Sequence, residues 1–146
     1  MKTPVHVIFF DAADTLFHIN GSVADIYLTH AVQHGFRKTP DSQASIAQAF
    51  RRAFHDAAPP VFAATDPIEL KQCERPWWFD IVHNVFYRVG MFEGFDEFFE
   101  EVFAVFEQPD SWRLFPETRD VLATLKAQGF ELAPHLDALD AFAKRC

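Results

Sequence analysis

The sequence predicts an α/β protein in which a small core of parallel strands is interrupted by an inserted α-helical bundle. Three observations predict it. A short β-branched and aromatic run, Val5 to Phe10, ends at Asp11. A second apolar run, Phe130 to Ala133, follows a helical pattern that stops at Gly129. Between them lie four amphipathic helical patterns, where the chain's 18 phenylalanines are concentrated. The order strand, helical insert, helix, strand is a βαβ crossover with a bundle placed in its first connection.

Val5 to Phe10 is bounded by Pro4 and Asp11, and its length and β-branched character favour a buried strand of the parallel kind. Asp11-Ala-Ala-Asp-Thr15 then lies at that strand's carboxyl end, where open α/β sheets place their ligands. Ser22 followed by Asp25 resembles a capping box. Val23, Ile26, Tyr27 and Ala31 supply the apolar side of the helix it opens, and Gly35 stops it. Tyr27 can bury its ring while its hydroxyl meets a polar partner or water. Asp41 or Ser42 caps a second helix, with Ile46, Phe50, Ala53, Phe54 and Ala57 near helical spacing and Pro59-Pro60 as its terminator. A loop runs on to Pro67. Pro76 opens the first turn of a third helix, in which Trp78, Ile81, Val82, Val85, Phe86 and Val89 form one stripe ending near Gly90. A fourth runs from about Phe95 to Phe106, with Phe95, Phe98, Phe99, Val102, Phe103 and Phe106 inward.

Four such helices need each other to cover their apolar sides, so residues 19–111 read as a bundle. Residues 1–18 and 112–146 are left as a partial α/β core. In the second of these segments Pro116 opens a helix with Val121, Leu122 and Leu125 buried, Gly129 caps it, and Phe130 to Ala133 starts a strand. Pro134 cannot donate a ladder hydrogen bond, and a helical pattern from Ala138 to Ala143 follows. Two parallel strands are therefore predicted, with an unpaired edge and an uncovered apolar face.

Composition narrows the partners. With 13 basic against 21 acidic side chains the formal charge is −8, and there is no basic stripe. Neither a nucleic-acid backbone nor an anionic membrane surface is attracted by such a surface, which leaves small molecules or proteins. The opening apolar run is too short for a membrane span and has no signal-peptide pattern, so a cytoplasmic location is expected. Cys73 and Cys146 make no disulfide framework.

Asp11 is the main candidate for chemistry. A carboxylate at a strand end beside backbone N–H groups can bind a divalent cation or attack an electrophilic phosphorus or carbon. Thr15, in the same turn, can hydrogen-bond a transferring phosphoryl oxygen. The alternative is that Asp11 and Asp14 only turn the chain. The 7 histidines form no zinc pattern. His30 and His34 lie four apart on a helix without a nearby third ligand, and read as a helix pair. Trp77-Trp78 suits either a substrate pocket or the bundle's interior, and Trp78 joins the apolar stripe.

Phe10-Asp-Ala-Ala-Asp-Thr-Leu-Phe17 resembles motif I of the haloacid dehalogenase-like (HAD) hydrolase superfamily, D-x-D-G-T. The resemblance continues through Gly21-Ser-Val23, Trp77-Trp78, Phe95-Asp96-Glu97-Phe98-Phe99, Trp112-Arg113-x-x-Pro116 and Leu122-x-x-Leu125-x-x-x-Gly129. It covers residues 5 to 133 and is similar to the branch with a helical cap, which implies a partial Rossmannoid core and a cap.

The resemblance further implies that Asp11 is a nucleophile forming an aspartyl intermediate and a ligand of Mg²⁺, with the Ala13 backbone carbonyl as a second metal ligand. Thr15 would bind the phosphoryl group. The substrate class implied is a small phosphorylated molecule, with haloacid dehalogenation as the alternative. The sequence departs from the family in two places. Ala13 stands where the family has its acid/base aspartate, and a methyl group carries no proton. Asp14 stands at the family's glycine and is the candidate substitute. After Ala133 the agreement stops: Leu136 and Asp137 occupy the phosphate-binding Ser/Thr position and the one after it. No residues follow for the family's lysine and acidic pair, and Lys144 and Arg145 read as a solvated end. The expectation is a truncated or frame-shifted chain, inactive alone, completed by a carboxyl-terminal fragment or by self-association. A noncatalytic helical interaction module is the remaining alternative.

Overall fold

The computed structural model describes residues 6–64 and 66–134. In chain order the elements are β1 (Val7–Phe10), β2 (Phe17–Ile19), α1 (Val23–Gln33), α2 (Ser42–Asp56), α3 (Pro67–Val89) and α4 (Phe95–Phe106). A 3₁₀ turn (Pro109–Ser111), β3 (Trp112–Leu114), α5 (Thr118–Ala127) and β4 (Glu131–Pro134) complete them. The fold is mixed α/β, and the chain divides into two compact units, residues 1–20 with 106–146, and residues 21–105.

In the first unit β1 pairs with β4 in parallel, from Val7↔Glu131 to Phe10↔Pro134. Pro134 has no amide hydrogen and occupies the last position of the ladder. The strand prediction holds, but burial on both faces does not: Phe9 is 73% exposed and Val7 38%. Among the described residues β1 has one ladder partner, and only one of its faces is packed, through Phe10 against Ala12, Leu16 and Phe17.

An antiparallel pair, β2 with β3, registers Phe17 opposite Leu114 and Ile19 opposite Trp112. Three-residue strands are too short to show periodicity, so the sequence carries no sign of them. Trp112 meets Phe17 edge-on at 5.2 Å. In α5 the sequence reading needs correction. The helix begins at Thr118, two residues beyond Pro116, and Val121 is 46% exposed. Thr118, Leu122 and Leu125 turn inward, at the spacing of a narrow helical stripe; Leu122 packs on the Ala12–Leu16–Phe17 cluster, and a cluster this small needs no wider face.

In the second unit the predicted start of α1 is present: the Asp25 amide donates to Ser22 Oγ (3.1 Å), and Ser22 Oγ donates to the Asp25 carboxylate (2.7 Å). Its end is a Schellman motif, with Gly35 at φ +102, Phe36 N–H bonded to the Ala31 carbonyl and Gly35 N–H to that of Val32. Gly129, at φ +88, closes α5 in the same way. On α1 the buried residues are Ala24, Tyr27, Leu28 and Ala31, while Val23 and Ile26 are only half-buried. Burial pushes the Tyr27 phenol up.

On α2, Asp41 stands at the cap position but its side chain makes no capping hydrogen bond, and buried Ser42 accepts from the Thr39 amide at 2.8 Å. Phe54, expected inside, is 49% exposed and leans on Phe50, Trp77 and Trp78. Both tryptophans are half-buried, and Trp77 Nε1 donates to the Ala58 carbonyl at 2.7 Å.

The start of α3 is the largest correction. The helix opens at Pro67, capped by Asp66, whose carboxylate accepts from the amides of Ile68 (2.8 Å) and Glu69 (3.3 Å). Pro76 lies inside it rather than in its first turn. An interior proline costs about 3 kcal/mol. Ile81, Val82, Val85 and Phe86 are fully buried on the same helix, and about 1.5–3 kcal/mol for each such side chain outweighs that cost. On α4, Phe95, Phe98, Phe99 and Val102 are buried, with Phe103 and Phe106 half-buried. The rings meet largely edge to face, as with Phe86 and Phe98 at 4.9 Å. Gly94 permits the close approach of α1, since a Cβ there would lie 2.5 Å from the His34 carbonyl oxygen.

Candidate active site at the end of the first strand

Asp11 follows the last residue of β1 and is exposed. Immediately after it the chain makes one tight turn, in which the Ala12 carbonyl accepts from the amides of Thr15 (3.3 Å), Leu16 (2.8 Å) and Phe17 (3.3 Å). The sequence sorts itself by side chain. Ala12, Leu16 and Phe17 are buried and anchor the turn, while Asp11, Ala13, Asp14 and Thr15 face solvent.

The turn brings Asp11 and Thr15 together: Thr15 Oγ1 donates to Asp11 Oδ2 at 3.2 Å. It does not bring Asp14 to them. Asp14 has φ +58, its amide donates to the Phe17 carbonyl at 2.7 Å, and among the described residues no hydrogen bond joins its carboxylate to Asp11 or Thr15. A left-handed residue is where glycine is at ease, and aspartate is among the few others that tolerate it. Ala13 sits in an isolated bridge with Phe17 whose bonds use the Ala12 and Phe17 carbonyls and leave that of Ala13 free of them.

A Mg²⁺ ion takes oxygen donors and usually keeps several waters beside one or two carboxylates. The Asp11 carboxylate and the Ala13 carbonyl, which accepts no hydrogen bond among the described residues, fit part of such a set. Among the described residues no group of three or more His, Cys, Asp or Glu side chains is arranged to hold a metal. Leu136, Asp137, Lys144 and Arg145 lie outside the described residues.

Two partners were invisible in sequence because distant segments bring them in. Thr118, buried at the start of α5, donates from Oγ1 to the Leu16 carbonyl at 2.8 Å. Glu101, on α4, joins the two histidines of α1: its carboxylate meets His30 Nδ1 at 2.8 Å and His34 Nε2 at 2.5 Å. The hydrogen bonds from His34 and then His30 hold the Glu101 carboxyl below its ordinary range. His30 and His34 thus have a third member, joined by hydrogen bonds.

Comparison with known proteins covers most of the chain. A family model described as haloacid dehalogenase-like hydrolase matches residues 5–145, running past Ala133, where the sequence reading placed the end of agreement. The human protein named haloacid dehalogenase-like hydrolase domain-containing protein 3 is 23% identical over 135 residues, covering 90% of this chain and 51% of that protein. The zebrafish (Danio rerio) protein of the same name is 24% identical over 135 residues, covering 90% and 53%. The chain spans about half the length of these curated relatives.

Proposed function

The chain belongs to the haloacid dehalogenase-like hydrolase family, and from that premise we propose a phosphatase chemistry in which Asp11 attacks a small phosphorylated compound. The observation that carries the reading is an exposed carboxylate at the end of a parallel strand with a hydroxyl bonded to one of its oxygens. Thr15 occupies Oδ2, which leaves Oδ1 as the attacking atom. An Oδ1–P bond forms as the ester P–O bond breaks, and the departing oxygen takes a proton; water then cleaves the aspartyl phosphate and regenerates the carboxylate. The Thr15 hydroxyl is placed to turn from Asp11 to a phosphoryl oxygen. A bound Mg²⁺ would supply positive charge against the phosphate, held by Asp11 and the Ala13 carbonyl.

The weak point is the proton. Ala13 cannot provide one, and Asp14 is the carboxyl group in the turn assigned to it. With its side chain unconnected to Asp11, turnover by this chain alone is expected to be undetectable, and groups from a complementing polypeptide or a second copy would complete the site. Ala13 also favours a second reading, displacement of halide from carbon, since halide departs without a proton. The free, exposed Cys73 thiol suits a reducing, cytoplasmic setting.

Nucleophile competence and turnover separate experimentally. Beryllium fluoride with Mg²⁺ mimics an aspartyl phosphate, and a bound ¹⁹F resonance is expected for the chain and not for Asp11→Asn. Phosphate release from an aryl phosphate is expected to equal that of the same variant. A beryllium fluoride adduct retained in Asp11→Asn would end the assignment of the nucleophile, and robust Asp11-dependent turnover would end that of inactivity. Halide release from a 2-haloacid, lost in Asp11→Asn, would decide for the second reading.

A further inference from the structure

We propose that Thr118 is the positioning residue of the Asp11 turn, acting through the Leu16 peptide; its bearing on catalysis rests on the reading of Asp11 as nucleophile. Thr118 is the first residue of α5 and 6% exposed. A threonine hydroxyl at a helix start ordinarily serves its own helix. This one reaches 102 residues back in sequence to the Leu16 carbonyl. Ser42, a buried helix-start hydroxyl on α2, shows the contrast: among the described residues it bonds to Thr39, three residues away.

The geometry explains what the bond controls. The Leu16 carbonyl and the Phe17 amide are opposite ends of one planar trans peptide. The carbonyl end is held by Thr118 Oγ1 (2.8 Å) and by the Phe115 amide (3.2 Å). The amide end points back to the Ala12 carbonyl at 3.3 Å. Fixing the plane from α5 therefore fixes how the chain returns to the residue after Asp11. Thr15, one residue before this peptide, is swung toward or away from Asp11 by the same rotation, and its hydroxyl bond to Oδ2 is the contact at stake. The apolar floor of Ala12, Leu16 and Phe17 anchors the turn, and the hydrogen bonds to the Leu16 carbonyl add the directional restraint on that rotation.

The test uses the full chain and two substitutions, Thr118→Val, which removes the hydroxyl at similar shape, and Thr118→Ser, which keeps it. Amide exchange by NMR and the ¹³C resonance of the Asp11 carboxyl are the readouts. In Thr118→Val the Asp14, Leu16 and Phe17 amides are expected to exchange about five- to tenfold faster, the size of one net hydrogen bond. The Asp11 resonance is expected to move, the Leu122 and Leu125 amides to stay within about twofold, a change too small for one hydrogen bond, and Thr118→Ser to restore wild-type values. Equal acceleration along α5, an unmoved Asp11 resonance, or failure of rescue by serine would overturn the proposal. If Thr118→Val does not fold, Thr118→Ser must still fold with wild-type exchange, and loss of the pattern there overturns it equally. Absence of a beryllium fluoride adduct in the wild-type chain, with the exchange pattern as expected, would instead remove the nucleophile and leave the anchor standing.

Discussion

Within the helical unit one carboxylate, that of Glu101, accepts from two imidazoles of a single helix. Its folded value lies below the ordinary 4.5, because both histidines bond to the ionised form. The sign follows from linkage: the stabilisation is complete above the ordinary glutamate range and is lost as pH falls through the lowered folded value. Glu101→Gln should therefore be less stable than the parent at a pH above the ordinary glutamate range, and the gap should narrow at a pH below it, closing as the folded value is passed. Thermal melts at the two pH values check this, and an equal gap at both would show that the carboxylate charge is not what matters. Asp14 shows a different residue-scale logic. Its left-handed backbone is set by the turn, so a position that would suit glycine is filled by one of the few residues that tolerate it, and its carboxylate is left outside the Asp11–Thr15 pair.

Among the elements, α3 carries a cost that can be measured. Pro76 has no amide to donate to the Gln72 carbonyl, and it is exposed, so burial of its ring does little to offset the missing bond. Pro76→Ala should stabilise the helical unit by about 1–3 kcal/mol, read as a higher midpoint of urea unfolding at unchanged slope. No gain, or a loss, would mean that the proline matches a helix geometry alanine cannot improve. The same helix shows where element reading is strong and where it is weak. Its stripe from Ile81 to Phe86 was legible because 3.6-residue periodicity survives any packing partner. Its start was not, because Asp66-Pro67 and Pro76 are both acceptable openings in sequence, and the choice depends on whether buried contacts downstream offset an interior proline.

For the whole molecule β1 is the feature with consequences. It has a single ladder partner among the described residues and carries Phe9, 73% exposed, and a strand of that kind can pair with another chain. Sedimentation at rising concentration should show mass increasing for the parent and less so for Phe9→Glu; identical curves would mean that this strand takes no part. At this scale the division between sequence and structure is plain. The α/β class, the parallel β1–β4 pairing, the helical insert, the α1 caps and the placement of Asp11 at a strand end were all legible in the sequence. The class, the insert, the caps and the strand-end aspartate follow from local chemistry or from a periodicity within a few turns of chain, and the parallel pairing from the order strand, helix, strand, which a crossover connection joins in parallel. The β2–β3 pair, the exposure of Phe9, Phe54 and Val121, the Glu101 link between His30 and His34, and the Thr118 bond to Leu16 were decided only by the tertiary structure. All of them depend on which surfaces distant segments cover or which donor they deliver, and burial and hydrogen-bond satisfaction are properties of the packed chain, not of any stretch of it.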